Sequence, residues 1–550
     1  MSRSSNVPTS SLDRRRFLSL AALAGASVGT GLLTGCSSGG SGAGGADGAA
    51  VDLPTYVAPK GLKSDLPGTS AGVSPGYFNY PDQLVRTVDK APGSGNALKS
   101  MVMTFSPAPA DSKYFAAVNK AMNAPVDLVM VPAADYAQRF STVVAGGDLP
   151  DTMEIVWYLG LPRLTEFLRA KCVDLSDHLS GDAVKKYTNL AAIPTASWTG
   201  VRLNGRIWGI PIPRNPFQPA PFYRKDIVDA RGVDLPGNAD DFVAFCKEFT
   251  NRRRGEYAIA GTNPANPFGI DYYRGMFGVP NVWAEEGGKL TYFIETDAFR
   301  ESVAFSKRLW DAGVYHPDSP SMDQNKAASL FNTRKALITF RGNQGWGTIQ
   351  RDGRSIDPDL LVGALPQIGA EGGPGQNNLG AGSFGMTVIT KAAEDRVEEI
   401  LQIADYLAAP FGSQEYDLVN YGVRKVHSTD SKTGPALTKL GQKEIILSYQ
   451  YVGAAEQVLF DATYVDEYVK PAHAWQSDLA KNGVRSAAHG LTSATESRVA
   501  SSLTTLIDDT VTSVTVGRKP MSALDDLVKQ WKAQGGNQIR TEYQKALAKQ

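Results

Sequence analysis

Pro211, Pro213, Pro216, Pro219 and Pro221 fall within eleven residues, and no helix can run through them. Each ring fixes its own φ, removes an N–H and pushes the residue before it toward extended backbone. A Gly-rich turn and a short apolar run, Ile207 to Ile212, come before the prolines, and a new apolar segment begins at Phe222 and Tyr223. The stretch fits a straight connector between two globular units. It carries Arg214, Asn215, Phe217 and Gln218, polar and aromatic groups that suit a cleft. An ordinary surface loop fits the same residues.

The patterns on either side favour two α/β regions. Before the connector, Met101 to Phe105, Val126 to Val131 and Met153 to Trp157 read as strands. Between them, Phe115, Val118 and Met122, then Tyr136, Phe140, Val143 and Val144, recur at helical spacing, and Gly146-Gly147 ends the second helix. After it, Asn238 caps a helix with Phe242, Phe245, Cys246 and Phe249 on one face, and Asp297 caps another that carries Phe299, Val303 and Trp310. Lys335 to Phe340 and Gly385 to Thr390 are further strands, the latter after a Gly/Asn-rich loop. The last third is mostly helical, with stripes at Val499, Leu503, Ile507 and Val511, at Leu524, Leu527 and Trp531, and over Ile539 to Leu547. Strands alternating with helices imply an α/β sheet, and 550 residues exceed one core.

The first 35 residues are an address. Arg14-Arg15-Arg16-Phe17-Leu18 precedes an Ala/Gly-rich apolar run to Leu33, shorter than the roughly 20 residues a spanning helix needs. Paired arginines before Phe-Leu mark a twin-arginine signal peptide. Leu33-Thr34-Gly35-Cys36 resembles a lipobox, so Cys36 is the expected lipidated first residue of the mature chain. A Gly/Ser/Ala tether to Ala50 and an irregular arm to Asn96 follow. The leader's four arginines against one aspartate take +3 from a chain of zero formal charge and leave −3, which gives no electrostatic reason to expect nucleic acid.

Catalytic signatures are sparse. HExxH, the P-loop pattern and a helix-opening GxGxxG are missing. Ala381-Gly382-Ser383-Phe384-Gly385 has Ala where a nucleophile elbow needs Gly, and it comes before its strand. His178, His316, His427, His473 and His489 are scattered, and no spacing suggests a metal set. Carboxylates are plentiful, but nothing selects a pair for glycosidase chemistry. Aromatic residues do gather at predicted strand ends and turns: Trp157 and Tyr158, Phe217, Tyr272 and Tyr273, Trp346, and Tyr421. In open α/β sheets ligands collect beyond the carboxyl ends of strands. Flat rings stack on sugar C–H faces, and Arg214, Asn215, Arg341 and Asn343 beside them can fork hydrogen bonds to hydroxyls. The competing reading is that the aromatics fill cores.

Gly147-Asp148-Leu149-Pro150-Asp151, Asn204-Gly205 before Trp208-Gly209-Ile210-Pro211, Tyr223-Arg224-Lys225-Asp226, and Lys335-Ala336-Leu337-Ile338 before Trp346 resemble family 1 extracellular solute-binding proteins. Those are lipid-anchored carbohydrate-binding subunits of ABC importers. Tyr421-Gly422, Gly517 with Pro520, and Trp531-Lys532 through Gly535-Gly536 to Glu542-Tyr543 resemble the long oligosaccharide- and alginate-binding branch. The resemblance implies an α/β fold of periplasmic-binding-protein type II: two lobes, a hinge of crossing segments and an interlobe cleft. Its expected layout is signal peptide 1–35, lipidated tether and arm 36–96, first lobe 97–212, second lobe 213–364, return to the first lobe 365–440, and a C-terminal helical part 441–550 mainly completing the second.

The resemblance further implies a monomer that binds a carbohydrate, an oligosaccharide, and delivers it to membrane permease subunits, with no catalysis and no cofactor. Trp346 matches a position where sugar binders place a stacking ring, and Ser383 joins the expected ligand set. Many long-branch members carry a calcium loop where this chain has Thr250-Asn251-Arg252-Arg253-Arg254-Gly255-Glu256. Three arginines cannot serve as oxygen ligands, so no calcium is expected there and an alginate-like preference is in doubt. Cys172 and Cys246 fall in different lobes and are expected as buried thiols. An anchored glycoside hydrolase and a binder of peptides or another non-sugar solute are the alternatives.

Overall fold

The computed structural model describes residues 50–105, 112–161, 163–217, 219–263, 266–446 and 448–548. The expected signal peptide, Cys36, the tether to residue 49 and Gln218 lie outside them.

Strand β1, Leu98–Thr104, leads to helix α1, Lys113–Met122. The Ser112 hydroxyl accepts the Phe115 N–H, which satisfies one of the helix's free donors. Strand β2, Val126–Pro132, helix α2, Tyr136–Gly146, and strand β3, Thr152–Val156, follow. After several short elements comes β4, Ile210–Pro213. The proline stretch then delivers the chain to β5, Ala220–Arg224. Helix α3, Ala239–Glu248, starts where the Asn238 side chain accepts the Asp241 N–H at 2.9 Å. Strand β6 is Tyr257–Ala260 and helix α4 is Asp297–Asp311, whose cap is Thr296 instead of the expected Asp297. The Thr296 hydroxyl reaches the Phe299 N–H, which leaves Asp297 in the first turn facing the helix dipole. Then come β7, Ala336–Arg341, helix α5, Trp346–Arg354, β8, Val362–Ala364, and β9, Ser383–Ile389.

Two sheets result. The first has the order β2-β1-β3-β9-β4, and the second β8-β5-β7-β6. In the first sheet β1 runs parallel to β2 and β3, while β9 lies antiparallel to β3 and β4. Gly385 on β9 lies against Ile155, where an added Cβ would come within 2.0 Å of the Ile155 carbonyl oxygen. Only glycine fits that approach.

Each sheet has its own core. Leu98, Val102, Ile155, Met386 and Leu401 belong to the first, and Phe242, Phe305, Ile338, Leu527 and Trp531 to the second. Cys172 is buried in the first and Cys246 in the second, each a free thiol. A third, smaller core lies where the connector enters the second sheet and contains Phe217, Phe222, Trp346, Tyr468 and Trp475. The irregular arm reaches beyond the first core. Val51 and Val57 donate backbone hydrogen bonds to Gly205 and Ala191, and further on Gly76 and Tyr77 pair with Leu459 and Phe460 while Val73 enters the third core. The C-terminal stripes form helices Glu496–Thr515, Ala523–Trp531 and Asn537–Leu547, which supply Leu503, Leu527 and Ile539 to the second core. No helix among the described residues is long and apolar enough to cross a membrane.

Candidate ligand-binding site

The carboxyl ends of β1, β3 and β4 and the start of β9 share one edge of the first sheet, because β9 runs antiparallel to β3 and β4. β2 and β3 lie on opposite sides of β1, so strand order reverses at this edge. Such a switch point leaves a crevice open beyond the strand ends.

Aromatic and polar side chains fill the edge. β3 stops at Val156, and Trp157–Leu159 make one tight turn closed by Gly160, whose positive φ returns its N–H to the Trp157 carbonyl. The turn places two rings. Trp157 donates its indole N–H to Ser383 Oγ at 2.9 Å, and Tyr158 is 59% exposed with its hydroxyl 3.3 Å from Met103 Sδ. Phe384 lies 5.7 Å from the Tyr158 ring and 6.0 Å from Tyr451. Arg214, just past β4, is fixed by its N–H to the Gly382 carbonyl, and its guanidinium lies 4.3 Å over the Phe384 ring. Phe105, at the end of β1, is 69% exposed.

Charge here is unusual. Burial pulls the Arg214 pKa down, partly offset by the Tyr451 and Tyr158 phenols, and its Nε is buried without a hydrogen-bond partner. Glu154, on β3, is fully buried: Oε2 accepts the Met103 N–H at 2.7 Å and Oε1 has no partner. Burial pushes its carboxyl up to about 8, so near neutral pH it favours the uncharged form.

Two cavities adjoin this edge. One, about 320 Å³, lies between Trp157, Leu161, Leu164, Gly200 and Leu203 on one side and residues 489–500 on the other. Its His489 has an unpartnered buried Nε2 and a pKa pushed down to about 4, first by burial and then by Arg485 and Arg202. The other, about 290 Å³, is lined by Ile212, Asn343, Gln450, Glu456 and Gln476, among others, and burial pushes the Glu456 carboxyl up to about 8.

Of the residues expected from sequence, Trp157, Tyr158, Arg214 and Ser383 meet at this edge. The others lie outside that cluster, although Asn343 lines the second cavity and Asn215 shares a small pocket with Arg214. Trp346 opens α5 instead of standing in a turn and is 2% exposed, with its ring against Phe222, Tyr468 and Trp475. Phe217 is buried in the same third core. Tyr272 and Tyr273 are in the second core, bonded to the Pro366 carbonyl and the Tyr315 hydroxyl. Asn215 and Asn343 form a buried tie: Asn343 Nδ2 donates to Asn215 Oδ1 at 2.8 Å and to the Phe217 carbonyl at 2.6 Å. Arg341 is a half-buried strand end, and Tyr421 packs edge-on against Tyr80. Phe384, Tyr451 and Glu154 were missed. Glu154 had a local signal, a lone charge inside an apolar strand; Tyr451 had none, being more than 60 residues away in sequence from the strand it joins.

This edge offers stacking faces, an arginine fork and hydroxyls. Ser383 is hydrogen-bonded to Trp157, and among the described residues no histidine is bonded to it. Among the described residues no group of three His, Cys, Asp or Glu could hold a metal ion.

Comparison with known proteins bears on the family and the fold. The profile of bacterial extracellular solute-binding proteins matches residues 106–412, more than half of the chain. The polygalacturonan/rhamnogalacturonan-binding protein YtcQ of Bacillus subtilis is 24% identical over 477 residues, covering 85% of this chain and 94% of that protein. Lipoprotein LipO of the same organism is 24% identical over 485 residues, covering 84% and 94%. Among solved structures, an extracellular solute-binding protein from Bifidobacterium longum subsp. infantis superposes with a TM-score of 0.59 at 15% identity, covering 84% of this chain and 99% of that one.

Proposed function

The chain belongs to the bacterial extracellular solute-binding proteins, and from that premise we propose that it captures a carbohydrate, an oligosaccharide, outside the cytoplasm and delivers it to the permease subunits of an ABC importer. The observation that carries this is the cluster at the carboxyl edge of the first sheet: Trp157, Tyr158 and Phe384 offer rings, and Arg214 and Ser383 offer polar groups beside them. A relative that spans nearly the same length is named for binding polygalacturonan and rhamnogalacturonan, which supports a sugar over a peptide.

The layout expected from sequence completes the proposal. Residues 97–212 with 365–440 form one lobe and 213–364 with most of 441–550 the other, and the two close over the sugar by bending at the crossings. Cys36 carries the lipid that holds the chain at the outer face of the cell membrane after twin-arginine export. The protein acts as a monomer and leaves its ligand chemically unchanged.

Titration calorimetry of the mature chain against an oligosaccharide panel tests this. Saturable binding of at least one sugar, recovered intact by chromatography, is expected, and Tyr158→Ala weakens it at least tenfold, since one stacked face is worth about 1 kcal/mol or more. Release of hydrolysis products, or affinity indifferent to Tyr158, refutes it.

A further inference from the structure

The inner arginines of this protein mostly have counter-ions. Arg224, wholly buried, meets Asp226 and Asp357. Arg274 meets Asp271, Arg424 meets Asp417, and Arg540 meets Glu295. Arg214 departs from this. Among the described residues no carboxylate lies within 4 Å of it; its Nε is buried and unbonded, as are those of Arg274 and Arg540, but those two have a carboxylate and Arg214 has none. Two acids stand in its neighbourhood: Glu154, which is bonded to the Met103 N–H, and Glu456, which lines a small pocket together with Arg214; burial holds both toward the uncharged form. A half-buried cation facing phenols and a ring, with no anion, has given up water without replacement, and that costs stability unless a partner arrives.

Geometry says what the partner looks like. The guanidinium carbon lies 4.3 Å from the Phe384 ring centroid, so the ring shields one side of the group, and the donors of a guanidinium lie in its own plane. A planar anion in that plane accepts two parallel hydrogen bonds, the fork that arginine makes best. A second arginine repeats the pattern. Arg485 has a buried, unbonded Nη1 and stands close enough to His489, in the wall opposite Trp157, to depress its pKa.

We propose that the sugar this site takes carries carboxylates, a uronic-acid oligosaccharide, and that Arg214 is the specificity residue that binds one of them. The proposal rests on the carbohydrate-capture reading and narrows it. A neutral hexose can share the rings but leaves the Arg214 charge uncompensated, so discrimination is by charge and not by ring shape.

The experiment compares acidic oligosaccharides with the same chains after their carboxyls are reduced to alcohols, which keeps linkage and ring stacking. Oligogalacturonides, mannuronate and guluronate oligomers and glucuronate-containing oligomers, each with its reduced counterpart, are titrated into the mature wild-type chain, Arg214→Gln and Arg214→Lys. At least one acidic series is expected to bind thirtyfold or more tighter than its reduced form. Arg214→Gln should lose most of that ratio, Arg214→Lys should keep part of it, and wild-type affinity should fall as sodium chloride rises. Thermal unfolding of the variants confirms that they fold. Tight binding of a neutral oligosaccharide with acids no better, or an acid preference unchanged in Arg214→Gln, overturns the proposal while sugar capture stands. Failure of every sugar, neutral and acidic, overturns both.

Discussion

Glu154 shows how one buried side chain couples the sheet to pH. Its Oε2 takes the Met103 N–H and its Oε1 has no partner, so the neutral form is the one the fold favours. Its carboxyl is lifted to about 8, against roughly 4.3 in an unfolded chain. Between those values the folded protein holds a proton that the unfolded chain has released. The stability this group contributes is therefore complete below about pH 4 and is lost as pH rises toward 8. Glu154→Gln cannot ionise and removes the slope. Relative to that variant, the wild type is expected to lose roughly 2–4 kcal/mol between pH 5 and pH 8. Urea unfolding of both proteins at several pH values measures the difference, and parallel profiles would show that the carboxyl is charged in place. The contrast with Trp346 is instructive. A tryptophan in a Gly-rich stretch after a strand looked like a ligand platform, yet the ring is covered by Phe222, Tyr468 and Trp475. Nothing local in sequence reveals that a helix more than a hundred residues later closes over it.

Elements were read more easily than sites because their signals are local. The capping Asn238, the stripe at Val499 to Val511 and the strands flanking Gly146-Gly147 depend on neighbours within a turn or two, and all appear. The pairing of β9 between β3 and β4 is not local, and it brings Ser383 and Phe384 to Trp157 and Tyr158. Trp157 and Tyr158 could be picked from sequence as strand-end residues, Arg214 as a polar residue of the connector and Ser383 as part of the expected ligand set, but their meeting could not. The Tyr223–Asp226 motif also gained a physical role. Arg224 ends β5 with no exposed surface, its guanidinium bonded to both oxygens of Asp226, to Asp357 and to the Phe331 carbonyl. It joins a strand, the helix after it and a loop more than a hundred residues on. Arg224→Met strips the charge from that junction and leaves two largely buried carboxylates, although Asp357 keeps Arg334. A loss of about 3–5 kcal/mol in unfolding free energy is expected. Ligand affinity of the folded fraction should be unchanged, because the junction lies in the second sheet. A stability loss below 1 kcal/mol would mean the pair is replaceable by packing.

At the scale of the molecule, two sheets with separate cores are joined by few strands of chain. The proline connector crosses once between β4 and β5, and the chain returns between β8 and β9. Prolines suit a crossing that must stay extended while its ends turn, since they restrict φ without needing ladder hydrogen bonds. The buried tie between Asn343, Asn215 and Phe217 fastens that crossing to the turn after β7, so the bending proposed above would fall on the residues around the tie and not within it. A cavity of about 320 Å³ already separates Trp157 from residues 489–500, and a ligand held on both sides would favour the conformer in which they approach. Two measurements follow. Saturating sugar at a hundred times its Kd should stabilise the chain by about 2.7 kcal/mol if the unfolded chain does not bind it. Small-angle scattering should then show a smaller radius of gyration with sugar than without, and the scattering change and the calorimetric signal should saturate at the same ligand ratio. Stabilisation without compaction would mean that the ligand sits on one lobe alone, and that the crossings are struts rather than hinges.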